Sequence, residues 1–283
     1  SYVGFAWKAG GAPTATNTQS SGAMTANSVS VDGVLQSAYT PSGSPTIYPK
    51  KMSVGTKQGF SMVQYDGNNT SGATLPHGLS KAPDFFVTKA TNYDNREWQA
   101  YHQALGNQQP IRLNTTAAAL SANAAYFNNT SPTANVVTFG NGGDANQGGE
   151  TTLTYVMYAW HDVPGLQKFG SYSGNGSATD GTFVELGFKP AVVIIKNYVG
   201  YTENWLIFDN QRNKFNLVDN YLHPNTSGAE DNQYYDMDFL SNGFKLYNNA
   251  AAANSSGNSA KYIYAAWAEA PSIDLYGGGA NAR

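Results

Sequence analysis

Asp236 and Asp238 are the pair whose spacing could most readily do chemistry. One residue apart on a strand, both carboxylates face the same way, where they could bind calcium or act as the two acids of a glycoside hydrolase. Glu230 and Asp231 stand just upstream. A solvated strand face beside an Asn-rich loop would look the same. The four histidines, His77, His102, His161 and His223, lack a second ligand-type residue at metal spacing. His102 and His161 follow aromatic residues, as caps on a sheet edge would. No Gly-x-Ser-x-Gly elbow or phosphate-binding loop occurs. The expectation is therefore no catalytic residue and no cofactor, with Asp236 and Asp238 as the metal candidates. For sugar contact the candidates are Tyr93, Tyr198 and Tyr201, aromatics that flank loops and do not recur in the repeat described below. Loop tyrosines of this kind serve equally as subunit contacts.

Such residues need a scaffold, and composition says which kind. Of 283 residues, 41% are hydrophobic and 13% aromatic, enough to fill a core in each of two domains. Only 12% are charged, while Gly (30) and Tyr (19) are abundant, a mix that favours strands and tight turns over charged amphipathic helices. The formal net charge of −3, with scattered basic residues, removes the electrostatic footprint of nucleic-acid binding. No window approaches the roughly 20 apolar residues of a membrane-spanning helix, so membrane insertion is not expected. The first thirty residues lack the basic-then-apolar order of a secretory leader. There is no cysteine, hence no disulfide.

An internal repeat decides the architecture. Tyr65 aligns with Tyr172, an offset of 107 (172 − 65), and the same offset links Pro83 to Pro190, Lys89 to Lys196, Trp98 to Trp205, Tyr155 to Tyr262 and Trp160 to Trp267. Each copy opens on a strand ending in a Gly-Asn turn and continues into an apolar strand with proline at its start, where no ladder hydrogen bond is lost. A hairpin partner carrying the first tryptophan follows, and a strand with large residues on both faces closes the copy. In the second copy Asn242-Gly243 between alternating runs is a hairpin signal. The acids at 236 and 238 are not repeated, since Asn129 and Ser131 stand 107 earlier. The recurring tryptophans suit a core. The expected fold is all-β: two tandem β-sandwich, jelly-roll-like modules over 59–165 and 166–283, with an N-terminal strand and extended linker or arm over 1–58. Residues 1–7 repeat the closing strand, placing Trp7 where Trp160 and Trp267 stand. Tyr2, Phe5 and Trp7 are accordingly assembly candidates, because an isolated strand must find a sheet to join.

The motifs GlyPheAlaTrpLysAlaGly (4–10), PheGlySerTyrSerGlyAsnGly (169–176) and PheLeuSerAsnGlyPheLysLeu (239–246) occur with the closing TyrIleTyrAlaAlaTrpAlaGluAlaPro (262–271) and AlaAsnAlaArg (280–283). Together they resemble a tandem β-repeat family of predicted tail-fibre and other structural proteins of marine bacteriophages. The resemblance covers 59–283 and the first ten residues, and it supplies no catalytic residues. It implies a virion-surface, extracellular structural protein: a tail-fibre or host-recognition component acting by binding and assembly, with a capsid decoration or head-fibre protein as the alternative and a polysaccharide depolymerase as the third reading. Implied partners are further copies of itself, other virion proteins and a host cell-surface glycan or receptor.

Overall fold

A computed structural model describes residues 3–148 and 152–269. They form two compact units: a first module of residues 6–110 with 120–161, and a second of residues 3–5 and 111–119 with 162–269. The chain is all-β and of the β-sandwich class, as composition and strand pattern imply.

The first module contains β1 (Val29–Val31), β2 (Val34–Leu35), β3 (Lys51–Gly55), β4 (Phe60–Asp66), β5 (Ala73–Pro76), β6 (Phe85–Ala90) and β7 (Gln99–His102). After β8 (Ile111–Arg112), which belongs to the second module, come α1 (Ala124–Phe127), β9 (Val136–Phe139) and β10 (Thr154–Trp160). The main sheet runs β2-β1-β3-β4-β10-β6-β7, and β5 pairs with β9 separately. The second module contains β11 (Gln167–Ser173), β12 (Phe183–Glu185), β13 (Pro190–Val199), β14 (Leu206–Asp209), β15 (Tyr221–Leu222), β16 (Met237–Leu240), β17 (Gly243–Leu246) and β18 (Lys261–Ala268). Its sheets run β11-β18-β13-β14-β15 and β12-β17-β16. Val193, Ile195, Phe208 and Tyr262 from the first of these share one core with Val184, Phe239, Phe244 and Leu246 from the second.

The repeat survives at the level of hydrogen-bond register. In the first module Tyr155 faces Tyr65 and Trp160 faces Phe60; in the second Tyr262 faces Tyr172 and Trp267 faces Gln167. Adding 107 to both partners also converts the β10–β6 pair Tyr155 and Ala90 into the β18–β13 pair Tyr262 and Asn197. The β6–β7 pair Phe85 and His102 becomes Val192 and Asp209 in the same way. Equal spacing of side chains has selected one pairing solution twice, because a one-residue slip would turn every core side chain outward.

A polar tie closes each module. Tyr65 and Tyr155 stack with centroids 5.3 Å apart, and Tyr172 and Tyr262 do so at 5.0 Å. Burial pushes the Tyr155 and Tyr262 hydroxyls up to about 12, so they remain donors. Tyr65 donates to the Ala145 carbonyl and Tyr172 to that of Ala253, both at 2.7 Å. Tyr155 donates to the Gly143 carbonyl and accepts from the Gln147 amide; Tyr262 does the same with Ala251 and Ser255. The residue between these loop contacts is a fully buried asparagine, Asn146 or Asn254. Its amide group donates to the carbonyls of Thr70 and Gly140, or of Ser177 and Asn248. Its oxygen accepts from the backbone N–H of Asn68 or Asn175. One side chain thus joins two loops through three backbone groups. Gly67 and Gly174 let them meet, since a Cβ there would lie 2.3 Å from the Gln147 oxygen or 2.2 Å from that of Ser255.

Three expectations need correction. Residues 8–58 are more than a linker or arm: β1 and β3 pair in parallel and β3 pairs with β4, so the segment extends its own module's sheet. Ser30 and Ser53 hydroxyls hold the Gly10 and Gly11 carbonyls at 2.6 Å, tying the incoming chain along those strands. Residues 3–7 form no assigned strand; they run extended with alternating burial, and Trp7 meets Trp160 edge-on at 6.1 Å. Trp7 is half-buried there. Finally, the β16–β17 turn is made by Ser241 and Asn242, because Leu240 pairs with Gly243. Gly243 is required by close approach instead, since a Cβ there would sit 2.0 Å from the Val184 oxygen.

Asn146→Ala and Asn254→Ala should each destabilise the chain by about 3 kcal/mol or more, since each strands several buried partners at about 1–3 kcal/mol apiece. Denaturant unfolding of the two variants checks this, and a change under 1 kcal/mol in both would count against the tie.

Candidate functional site

The sequence-derived tyrosines divide between modules, Tyr93 in the first and Tyr198 and Tyr201 in the second. Tyr93 is exposed in the β6–β7 loop and lines a shallow concavity with Asn92, Asp94 and Asn95. The Arg96 guanidinium lies 5.4 Å from its ring centroid, so one face already carries a cation–π contact. Tyr198 is half-buried on β13, and the half-buried Tyr201 bonds the Ser255 hydroxyl at 3.1 Å. Of the assembly candidates, Phe5 and Trp7 are half-buried and Tyr2 lies outside the described residues.

Asp236 and Asp238 are both half-buried, flanking the buried Met237 as alternation requires. Their surroundings diverge. Asp238 lies across the β16–β17 ladder from Lys245, whose ammonium also pairs with Asp180 at 2.5 Å. Asp236 carries a carboxyl raised by burial and by the charge of Asp219. Among the described residues, no group of three or more His, Asp and Glu side chains could hold a metal ion.

The more ordered arrangement is a loop that sequence reasoning passed over, residues 209–219 after β14. Asp209, almost wholly buried, caps the turn by accepting the Gln211 and Arg212 amides at 2.9 and 2.8 Å. It also binds the Arg212 side chain at 2.5 Å. Arg212 reaches the Ile207 carbonyl as well, while its Nη1 stays buried without a partner. Further along, the Asn213 amide holds Asp219 at 2.8 Å, and the Asn216 side chain bonds Phe239 through both backbone groups at 2.9 and 3.2 Å. The Val218 N–H donates to the Met237 carbonyl at 2.8 Å. Anchored on both sides, the loop lifts Lys214, Phe215, Asn216 and Leu217 into solvent, with Phe215 85% exposed. Beneath this tip is a cleft of about 170 Å³ lined by Lys189, Asn210, Asn213, Lys214, Phe215, Asn216, Val218 and Phe239. The only sequence signal was an apolar pair, Phe215 and Leu217, in an otherwise polar stretch with no strand period.

Lys196 is the second unusual group. Its side chain is fully buried on β13, with the ammonium on the carbonyls of Asn197 at 2.7 Å and Thr116 at 3.2 Å. Its repeat partner Lys89 uses the Asp94 and Arg96 carbonyls and is only half-buried. The difference follows from residues 111–119, which belong to the second module. They also give the buried Trp205 indole N–H the Arg112 carbonyl at 2.9 Å, whereas Trp98 is half-buried. The shared core role expected of these two tryptophans therefore holds more fully for Trp205.

Fold and loops define a class: an all-β protein built from a duplicated sandwich module, with its copies distinguished by their loops. Residues 42–271 match the family described as a domain of unknown function (DUF7483), and the chain belongs to that family. The matched span takes in both copies. No curated protein and no solved structure matches the chain. No helix among the described residues is long and apolar enough to cross a membrane.

Burial lowers Lys196 to about 8, the nearby Glu203 opposing this only in part. With its folded value below the ordinary lysine value, the unfolded chain binds more protons between the two, so Lys196 makes stability rise with pH through that window. Between pH 8 and 9.5, below the ordinary range of tyrosine titration, the urea midpoint of the wild-type protein should climb relative to that of Lys196→Met. Parallel pH profiles for the two proteins would refute the assignment.

Proposed function

We propose that this chain is a bacteriophage virion protein of the tail-fibre or host-recognition kind, acting at the virion surface by binding and assembly. The observation that carries the reading is the contrast within the duplication. Both copies keep the tyrosine–asparagine tie and the same ladder registers, whereas the segments outside that register differ and present apolar groups to solvent: Phe215, Leu217 and Tyr234 in the second module. Rigid sandwiches carrying divergent, aromatic-tipped loops are what surface recognition uses, since binding residues concentrate on loops held by a scaffold. The sequence resemblance to phage tail-fibre repeats supports the same reading. Further copies of the chain, other virion proteins and a host surface glycan are the partners it implies.

The test is adsorption of fluorescently labelled protein to host cells, with and without added host surface polysaccharide. Saturable adsorption that falls at least tenfold in Phe215→Ala with Tyr234→Ala, while the unfolding transition stays in place, is the expected result. Adsorption indifferent to both changes would remove the recognition role. Steady release of reducing ends from the polysaccharide would replace binding with catalysis.

A further inference from the structure

We infer that the cleft beneath the Lys214–Phe215 tip binds one anionic pyranose ring, a uronate or a sulfated sugar, within a longer saccharide. This deepens the host-recognition reading and rests on it.

Size comes first. At about 170 Å³ the cleft is below the roughly 300–1,000 Å³ of typical small-molecule sites, so it suits a single ring with the rest of the chain outside. The lining then sets the chemistry. Phe215 supplies an exposed ring face at the mouth, the surface against which the C–H face of a pyranose packs. Asn210, Asn213 and Asn216 line the walls, and the Asn213 and Asn216 amides are already oriented by their bonds to Asp219 and Phe239, so little ordering cost remains for the ligand to meet.

Charge selects among sugars. Two lysines and no acidic residue line the cleft, and the Asp219 carboxylate is taken up by the Asn213 amide. Lys189 is paired with Glu269 at 2.9 Å in a half-exposed contact, while behind the loop Arg212 is bound by Asp209 and lies 3.8 Å from Glu230. Of the two lining lysines that leaves the exposed Lys214 as the one with no ion-pair partner among the described residues. A neutral sugar would satisfy Phe215 and the amides but leave this charge unused. A carboxylate or sulfate on the same ring would use all three.

The experiment is calorimetric titration of the full chain with three probes: an oligogalacturonate, a sulfated galactan oligosaccharide and neutral maltohexaose. The expected outcome is that at least one anionic probe binds at least tenfold more tightly than maltohexaose, the two arms separating carboxylate from sulfate, and that its affinity falls as salt is raised. Lys214→Ala and Phe215→Ala should each weaken that binding at least fivefold; both side chains are exposed, so the fold is spared. Tyr93→Ala should leave it unchanged, and Glu269→Gln, which frees Lys189, should strengthen it. Equal affinity for neutral and anionic probes, binding that ignores Lys214 and Phe215, or no binding of either anionic probe would overturn the inference. If the protein still adsorbs to host cells in that case, only the cleft assignment falls; if adsorption is absent as well, the host-recognition reading falls with it.

Discussion

The structure depends on a buried stacked tyrosine pair and the asparagine beside it. In each module the two rings bridge neighbouring strands, and their hydroxyls reach past the end of the ladder to hold a loop that has no regular structure. A loop full of backbone donors and acceptors can be buried only if nearly all of them are paired. Asn146 and Asn254 do this, each satisfying three backbone groups drawn from two loops. With 12% charged residues and no cysteine, the chain has few charges to pair and no disulfide to do the same work. Buried neutral hydrogen bonds avoid the desolvation cost of buried ions and keep their strength at high salt.

That economy explains how the copies diverge. Once each loop is held from inside by a tyrosine and an asparagine, outer segments can change without disturbing the sheet. In the first module α1 is capped by the Asn123 side chain; its counterpart 107 residues on, 231–234, forms no helix. After β14 the second module carries the Asp209–Arg212 turn and the exposed Phe215 tip, where the first has only the turn after β7, 103–108. Residues 111–119, from the first copy in sequence, serve the second module by supplying carbonyls to Lys196 and Trp205. The exchange accounts for why Lys196 is fully buried while its counterpart Lys89 is not.

Much of the fold was legible in the sequence because it was written twice. Six large or conformationally special residues at one offset implied that the two copies share one arrangement of strands, and the ladders keep that offset pair by pair. The asparagine tie escaped notice for a simple reason: Asn146 and Asn254 stand 108 apart (254 − 146), one step out of register, among many other asparagines. Strands β1 to β3 were hidden by brevity. Two to five residues, some of them serine or glycine, are too few to show alternation, and parallel pairing of β1 with β3 leaves no hairpin signal. The candidate cleft was illegible for another reason, since its walls come from residues as far apart as Lys189 and Phe239 and its shape depends on side-chain hydrogen bonds within a loop. The repeat, by erasing differences, drew attention to what the copies share, whereas the proposed function lies in what they do not.

Amide hydrogen exchange tests the central claim most directly. Four loop amides, of Asn68, Gln147, Asn175 and Ser255, donate to side chains of the tie rather than to a backbone ladder. If the tie closes each module, they exchange as slowly as amides in the interiors of β10 and β18, through global unfolding of the module. Exchange at the fast rates of ordinary surface loops would contradict the account.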